Sequence, residues 1–356
     1  MANIKQKVLY VVEAMGGGVF TYIVDLVNQL VNEYDMYIAY AVRPQTPVDY
    51  KEYFDNRIHL IEVKSFTREI NPLKELKAIR EVKKIADKIQ PDIIHLHSSK
   101  AGVIGRVAFS GNDVPLFYTP HGYSFLMQNY RPIKRSVFKL IETVMAKRNC
   151  TTISCSEGEH QETLKLTRNA TYVNNGINTT DLDALMAGVE VIDHPFTVFT
   201  SGRICFQKNP KLFNEIALAM PDVRFLWIGD GELRKELTAP NIEISGWVDR
   251  DRVIKESING DVFLLTSLWE GLPMSLLESM YMGKLCVVND VIGNRDVIDN
   301  GRNGFVCRTV DEFVKCINGN RDLGAVAKQD VMNEYNTKVM AEKYSQIYKE
   351  KMKEFL

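Results

Sequence analysis

The chain has 356 residues, of which 45% are hydrophobic and 25% charged, an ordinary balance for globular domains. The length predicts two domains, and a formal net charge of -1 excludes the overall positive field with which nucleic-acid-binding proteins attract their partners. Six cysteines without a C-x-x-C pair favour a reducing, cytosolic compartment. We expect neither a signal peptide nor a membrane-spanning helix, because the chain opens on a strand-like run and has no sufficiently long apolar stretch.

Short apolar runs alternate with longer helical patterns in the first half of the chain. Helical stretches such as FTYIVDLVNQLVNEY and PLKELKAIREVKKIADKI separate runs that are β-branched and almost continuously hydrophobic. Strands buried on both faces have this composition, so the rhythm predicts βαβ units and a parallel sheet. The predicted strands are 8–12, 36–42, 58–63, 93–98, 116–121 and 151–156.

A second series of strand-like runs begins near Pro195. The polar, turn-rich segment 178–195 separates the two series and is typical of a hinge. We therefore predict two doubly wound domains in tandem, over 1–178 and 196–336, with a ligand in the cleft between them. The second set of predicted strands is 197–204, 224–231, 242–248, 262–268 and 285–290.

Glycines and cations follow several of these strands. EAMGGGVFTY (13–22) opens the first helix, and Gly17 and Gly18 would let backbone N–H groups approach an anion there. The spacing is not G-x-G-x-x-G, and a plain tight turn is the alternative. In SGRICFQKNP (201–210), Arg203 and Lys208 could neutralise a diphosphate or could be solvated loop charges. Glycines at 229 and 231 in WIGDGELR would allow close approach to a ligand.

SLWEGLPMSLLES (267–279) places two glutamates around a predicted helix start. Pro273 suits a first helical turn, and the free N–H groups after it form an anion site. Glu270 and Glu278 would repel that anion unless they bind neutral hydroxyls. A nucleotide sugar has hydroxyls on both sides of its phosphates. The alternative is that Glu278 is an ordinary first-turn glutamate stabilised by the helix dipole.

This ordered set resembles the retaining glycosyltransferases of family 4, which have the GT-B fold. The matching motifs are SGR-x4-K, IGDGEL, GWV, EGLPMSLLE with its E-x7-E spacing, the N-terminal glycine loop, and TPHGYSF (119–125). The resemblance implies two Rossmann-like domains facing across a cleft, with a C-terminal helix over about 337–356 packed back on the first. It also implies sugar transfer from a nucleotide-diphosphate sugar, expected to be UDP-linked, to a glycan or lipid-linked glycan in surface polysaccharide biosynthesis.

The resemblance also assigns roles to individual residues. Glu278 would hold the ribose, and Glu270 and His121 the transferred sugar, while Arg203 and Lys208 grip the diphosphate. The implied donor-binding set is Gly17, Gly18, Arg203, Lys208, Gly229, Gly231, Trp247, Val248, Glu270, Gly271, Leu272, Leu276, Leu277 and Glu278. In such enzymes the leaving phosphate takes the acceptor's proton on the same face, and no metal or other cofactor takes part. A nucleotide-sugar epimerase and a non-catalytic nucleotide-sugar-binding subunit are the alternatives.

Two D-x-D triplets raise the question of a metal site. DLD (181–183) and DRD (249–251) both look like helix starts, with Asp181 a cap, and neither has a further ligand cluster. His95 and His97 share one face of a strand. A metal pair is possible there, but hydrogen bonding at a strand end is favoured. We therefore expect no metal.

The segment RPIKRSVFKLIETVMAKR (131–148) is amphipathic and basic, with Glu142 its single acid. Such a helix suits an anionic membrane surface, and would place the protein in the cytoplasm, on the inner face of the cell membrane. The alternative is a helix whose apolar residues pack into the core and whose basic face is solvated. In that case Ile133, Val137, Leu140 and Val144 would be buried.

Overall fold

The computed structural model describes residues 5–13, 15–43, 46–67, 72–319 and 322–355. The chain forms two compact units. Unit 1 comprises Met1–Leu126, Tyr130–Asn175 and Thr337–Leu356, and unit 2 comprises Met127–Asn129 and Gly176–Asn336.

Unit 1 is built on a sheet in which every neighbouring pair of strands is parallel. Its described strands lie in the order β3-β2-β1-β4-β5-β6-β7. In chain order the elements are β1 (Lys7–Val12), α1 (Gly17–Leu30), β2 (Asp35–Tyr40), β3 (His59–Glu62), α2 (Pro72–Ile89), β4 (Ile93–His97), α3 (Ser99–Ala108), β5 (Leu116–Thr119), α4 (Pro132–Met145), β6 (Thr151–Ser154), α5 (Glu157–Leu164) and β7 (Ala170–Tyr172).

Unit 2 repeats this plan with a sheet of order β10-β9-β8-β11-β12-β13, again parallel throughout. Its elements are α6 (Thr179–Met186), β8 (Thr197–Ser201), α7 (Pro210–Leu218), β9 (Arg224–Ile228), β10 (Ile242–Ile244), α8 (Arg250–Ile258), β11 (Val262–Leu265), α9 (Met274–Tyr281), β12 (Leu285–Asn289), β13 (Phe305–Cys307), α10 (Val310–Ile317) and α11 (Leu323–Glu334). The chain ends with α12 (Thr337–Lys353), which belongs to unit 1.

Apolar side chains fill both faces of each sheet, as the nearly continuous hydrophobic runs predict. In unit 1, one core contains side chains of β1, α1 and α12, such as Tyr10, Ile23 and Tyr344. A separate core contains Leu9 from the opposite face of β1 and Ala78 from α2. The prediction of two parallel, doubly wound α/β domains is confirmed.

The sequence missed β7 and β13, because each is only three residues long and carries no clear periodicity. The segment 178–195 is not a plain hinge, since α6 is built into unit 2: Leu182 is fully buried and Asp183 accepts a hydrogen bond from Tyr281 at 2.9 Å. Its cap is Asn178, which accepts from the backbone N–H of Asp181, and not Asp181 as expected. The DRD triplet does start a helix as expected, and Asp249 is the N-cap of α8.

Helix α4 turns its one acidic side chain, that of Glu142, toward the interior of unit 1. Glu142 is buried and forms an ion pair with Arg106 of α3 at 2.7 Å, and Tyr118 of β5 donates a second hydrogen bond to it at 2.9 Å. Five apolar side chains face outward, while Phe138 packs against the core: Ile133 is 81% and Leu140 62% exposed, and Val137, Ile141 and Val144 are exposed as well. The core-packed alternative for this helix is therefore wrong.

Candidate active site

The predicted site residues lie beside the point where each sheet reverses its strand order. That point falls between β1 and β4 in unit 1, and between β8 and β11 in unit 2. The glycine loop follows β1 and His97 ends β4, while Arg203 follows β8 and Glu270 follows β11. In doubly wound sheets, ligands bind outside the carboxyl ends of the strands at this switch point.

In unit 2 the loop after β8 and the loop after β11 are bonded to each other around Glu270. Its carboxylate, 9% exposed, accepts hydrogen bonds from Lys208 Nζ at 2.8 Å and Gln207 Nε2 at 3.2 Å. The main chains are joined as well, because Leu268 N–H donates to Gln207 O at 2.8 Å and Thr266 Oγ1 to Lys208 O at 2.7 Å. The position of each loop therefore sets that of the other.

Arg203 lies on the same loop as Lys208 but is half-exposed. Its Nε forms an ion pair with Glu232 at 2.9 Å, and both side chains are about half-exposed. Such surface pairs contribute little free energy, because water screens them. Arg203 can therefore exchange Glu232 for another partner at low cost.

Gly229 and Gly231 make this loop packing possible. A Cβ at Gly229 would lie 2.2 Å from Gly202 O, and one at Gly231 would lie 2.2 Å from Ile204 O. Gly229 also has φ +141°, which side chains rarely adopt. Their Cβ positions are thus occupied by the main chain of the 202–204 loop, and the glycines let that loop, with Arg203, lie against β9.

Glu278 is anchored by a residue that the sequence analysis did not single out. Arg250 Nη1, in the first turn of α8, lies 2.9 Å from Glu278 Oε1, and Arg250 Nε lies 3.6 Å from Asp181 Oδ2. The Glu278 side chain is only 11% exposed. The alternative that Glu278 is an ordinary glutamate of the first helical turn is wrong, because α9 begins at Met274 and Glu278 is its fifth residue.

The start of α9 differs from the expected donor arrangement. Pro273 is the N-cap, and Leu276 and Leu277 N–H groups lie 3.2 and 3.3 Å from its carbonyl oxygen, so they are not free for a diphosphate. Within the described part of the chain, no partner is found for the N–H groups of Met274 and Ser275. These two groups take the place of the expected donors at the helix start.

Next to α8, Trp247 is 70% exposed, and Val248 packs against the core of unit 2. The indole ring is therefore available to a planar ligand.

The segment that follows β12 supports Glu270 from the other side. A Cβ at Gly293, which has φ +85°, would lie 2.5 Å from Gly271 O and 3.0 Å from Glu270 Cβ. Leu272, next in the loop, is buried in the core.

In unit 1 the N-terminus of α1 is open. Gly17 begins the helix at φ +58°, and no atom of the described residues lies within 4 Å of a Cβ added at Gly17 or Gly18. Both glycines are exposed, and the binding of an anion by their N–H groups stays a prediction.

His121 follows β5 in a turn that a buried carboxylate holds. Its φ is +55°, a conformation uncommon for residues other than glycine. Gly122 N–H donates to Glu159 Oε1 at 2.6 Å, and Cys155 N–H donates to Glu159 Oε2 at 2.9 Å. Burial lowers the pKa of His121 to about 3, so the imidazole is neutral at pH 7.

His95 and His97 are buried and hydrogen-bonded, as favoured from the sequence. His95 lies 2.6 Å from Tyr348 Oη of α12, and His97 Nδ1 lies 3.1 Å from His121 Nε2. Across the described ranges, no group of three or more His, Cys, Asp or Glu side chains is arranged to hold a metal ion, the two D-x-D triplets included.

The sequence analysis missed three supporting residues: Gln207, Arg250 and Glu159. Glu159 carried a usable signal, because Ser156-x-x-Glu159 has the spacing of a helix capping box. Ser156 does cap α5, and the Glu159 carboxylate accepts from Gly122 in the His121 turn. Gln207 and Arg250 carried no signal, since their partners lie 63 and 28 positions away in the chain.

Comparison with known proteins identifies the family. A profile described as Glycosyltransferase Family 4 matches residues 16–181, and one described as Glycosyl transferases group 1 matches 195–319. An Escherichia coli UDP-Gal:alpha-D-GlcNAc-diphosphoundecaprenol alpha-1,3-galactosyltransferase is 32% identical over 303 residues, covering 75% of this chain and 76% of that enzyme. The chain belongs to glycosyltransferase family 4. The resemblance seen in its motifs is thereby confirmed.

Solved structures confirm the GT-B fold of this glycosyltransferase. Sucrose-phosphate synthase from Thermosynechococcus elongatus superposes with a TM-score of 0.83 at 15% identity, covering 97% of this chain and 99% of that one. Anabaena HepE in complex with UDP-glucose gives a TM-score of 0.76 at 17% identity, with 97% and 99% covered. At these identities the likeness establishes the fold alone.

Gly293→Ala tests whether the 293 loop sets the position of Glu270. The added Cβ would push against Gly271 and Glu270, and a displacement of about 1 Å at such a site lowers turnover by on the order of a hundredfold. Gly301→Ala is the matched control, since Gly301 has φ +83° but no atom within 4 Å of the added Cβ. Both variants should lose stability in thermal unfolding through backbone strain, Gly293→Ala the more because of its clash, whereas only Gly293→Ala should lose turnover. Equal turnover in the two variants would contradict this support role.

Proposed function

We propose that this protein is a retaining glycosyltransferase that moves a sugar from a UDP-sugar to a lipid-linked glycan in surface polysaccharide biosynthesis. The observation that carries the proposal is the pair Glu270 and Glu278. Both carboxylates are almost buried, each is paired with a cation, and they flank the start of α9. Nearly buried carboxylates at an anion-binding helix start suit a ligand with hydroxyl groups on both sides of a diphosphate.

Different residues bind the ribose, the base and the transferred sugar of the donor. Glu278, oriented by Arg250, binds the ribose diol, and the exposed ring of Trp247 lies against the base. Glu270 accepts hydrogen bonds from hydroxyls of the transferred sugar, and His121 of unit 1 binds a sugar hydroxyl as well. A carboxylate with two oxygens has about four acceptor positions, so its protein partner leaves acceptor capacity for a diol.

The diphosphate is held by cations and helix N–H groups. Lys208 has three N–H donors, so it can keep Glu270 with one and reach phosphate oxygens with the others. Arg203 exchanges its exposed partner Glu232 for phosphate. The N–H groups of Met274 and Ser275, and those of Gly17 and Gly18, add further donors.

This arrangement supplies the positive charge that the leaving group needs, so we propose that no metal is required. We take the same-face route from the family resemblance, and in it the phosphate held by Lys208 and Arg203 takes the proton of the attacking hydroxyl. Glu270 then stabilises the transferred sugar through its hydroxyls, and its ion pair with Lys208 positions it for that task.

The names and ligands of related proteins support the donor and acceptor classes. The E. coli relative acts, by its name, with UDP-Gal on a diphosphoundecaprenol-linked sugar. HepE has been crystallised with UDP-glucose. We therefore take uridine as the base and a polyprenyl-linked glycan as the acceptor.

A lipid-linked acceptor requires access to a membrane, and helix α4 is suited to it. Its exposed apolar side chains lie among cations, while its one acid is buried against Arg106. We define the α4 surface as exposed Ile133, Val137, Leu140, Ile141 and Val144 with exposed Arg131, Lys134, Lys139, Lys147 and Arg148. An apolar face rimmed by cations binds the interface of an anionic bilayer.

The bilayer is proposed to be the inner face of the cell membrane. All six cysteines are free thiols in the structure, as is usual in a reducing compartment. None of the helices in the described ranges is long and apolar enough to cross a bilayer.

The overall activity is tested by transfer from UDP-sugars to a polyprenyl-diphosphate-linked sugar. Free UDP should appear only when the acceptor is present, and proton NMR should show the donor's anomeric configuration in the product. EDTA should leave the rate essentially unchanged, with Mg²⁺-saturated EDTA as the control. Inversion, UDP release without acceptor, or loss of activity restored by a divalent cation would each contradict the corresponding part of the proposal.

The division of labour between the two glutamates is tested by calorimetry with UDP. Glu278→Gln should weaken UDP binding by roughly ten- to a hundredfold, because a charged hydrogen bond contributes about 1.5–3 kcal/mol. Glu270→Gln should leave UDP affinity equal or slightly higher, because it frees Lys208, but should lower turnover sharply. The control is Glu243→Gln, an exposed glutamate paired with Arg224, which should change neither quantity. Equal losses of UDP affinity in the Glu270 and Glu278 variants would disprove the assignment.

The α4 surface is tested by binding to vesicles with and without anionic lipid. Replacing Lys139, Lys147 and Arg148 by Gln should weaken binding to anionic vesicles by on the order of a hundredfold, at about 1 kcal/mol per cation. Ile133→Gln with Leu140→Gln should weaken it too, whereas Leu218→Gln, at a leucine of α7 that is 54% exposed, should not. UDP affinity should be unchanged in all of them. Unaltered vesicle binding in both α4 variants would rule out this surface.

A further inference from the structure

The histidine pair of unit 1 carries information beyond the proposed role of His121. His97 is fully buried at the end of β4, and its Nδ1 lies 3.1 Å from His121 Nε2. The other ring nitrogen of His97, Nε2, is buried and has no hydrogen-bond partner in the described part of the chain. His95 is engaged elsewhere, with Thr119 Oγ1 at 2.9 Å and Tyr348 Oη at 2.6 Å.

The His121 ring is held on several sides, so its hydrogen-bonding direction is fixed. The edge of Tyr22 contacts it at a centroid distance of 4.5 Å and an interplanar angle of 73°. The His97 ring lies at 5.3 Å and 24°. The main chain is fixed by the hydrogen bond from Gly122 to Glu159. His121 itself is only partly buried, and its Nδ1 is not among the buried side-chain atoms that lack a partner in the described ranges.

Burial lowers the pKa values of both histidines well below the usual range, so each ring is neutral and carries one N–H. If His121 Nε2–H were the donor, His97 Nδ1 would accept, and the His97 proton would sit on Nε2. That would leave a buried N–H without an acceptor. If His97 Nδ1–H is the donor, only a lone pair of Nε2 lacks a partner. Orphaned buried N–H groups are rarer and more costly than unused acceptors.

We propose that His97 is a positioning residue that fixes His121 as the Nδ1–H tautomer, so that His121 donates a hydrogen bond to a sugar hydroxyl. The proposal rests on the proposed function for the identity of the ligand. His121 Nε2 is used as the acceptor for His97, which leaves Nδ1–H as the only polar ring group for the ligand. The sugar oxygen then accepts from His121, and its own proton points elsewhere.

The tautomer is tested directly by NMR of the full chain with ¹⁵N-labelled histidine. The chain has six histidines, so six ring spectra are expected and single substitutions assign them. Long-range ¹H–¹⁵N correlations should show His121 protonated at Nδ1 and His97 protonated at Nδ1. A proton on His121 Nε2 would overturn the proposal. This readout needs no substrate, so it remains informative if the transferase proposal fails.

Two substitutions test the functional consequence. The amide nitrogen of Asn stands near the position of Nδ1, whereas that of Gln stands near Nε2. His97→Asn should therefore retain kcat/KM within about threefold, and His97→Gln should lower it about tenfold, the scale of one lost neutral hydrogen bond. UDP binding, in which His97 has no proposed role, and thermal unfolding serve as checks that both variants fold.

The hydroxyl that His121 binds belongs either to the transferred sugar or to the acceptor. The substrate whose KM rises in His97→Gln distinguishes the two. A higher KM for the UDP-sugar places the hydroxyl on the transferred sugar, and a higher KM for the acceptor alone places it on the acceptor. Both results support donation by His121. Equal activity of the Asn and Gln variants, when both fold and bind UDP, would refute the positioning role.

Discussion

The ion pair between Lys208 and Glu270 is the interaction on which the unit 2 site depends. It joins two loops that follow different strands, and the backbone hydrogen bonds of Gln207 and Lys208 make that junction rigid. Gly293 supports Glu270 from the opposite side, where any Cβ would collide with it. A carboxylate held in this way is already oriented before the ligand arrives, which limits the entropy lost on binding.

A second ion pair determines what unit 1 presents to its surroundings. Arg106 and Glu142 are almost fully buried, and Tyr118 supplies a further hydrogen bond to Glu142. Breaking a buried pair on one side leaves an uncompensated charge, which costs several kcal/mol. The pair therefore fixes the rotation of α4 about its axis. As a consequence the apolar residues of α4 face outward, although an amphipathic helix usually buries them.

The C-terminal helix α12 connects residues near both ends of the chain to the group of His95, His97 and His121. Tyr344 of α12 accepts a hydrogen bond from Tyr22, and the hydroxyl of Tyr348 lies 2.9 Å from that of Tyr10 and 2.6 Å from His95. Buried polar groups must find partners, and here they find them in a helix more than 250 positions away. Helix α12 thus completes the buried environment that keeps the histidines neutral.

The sequence by itself determined the two parallel-sheet domains and the position of the site motifs. Hydrophobic period and strand-ending glycines are local signals, and the E-x7-E spacing is a local pattern around Glu270 and Glu278. Tertiary structure alone decided which group each side chain meets. It paired Arg250 with Glu278 and turned the exposed apolar residues of α4 outward. These outcomes depend on partners distant in the chain and on burial, which no periodicity within one element encodes.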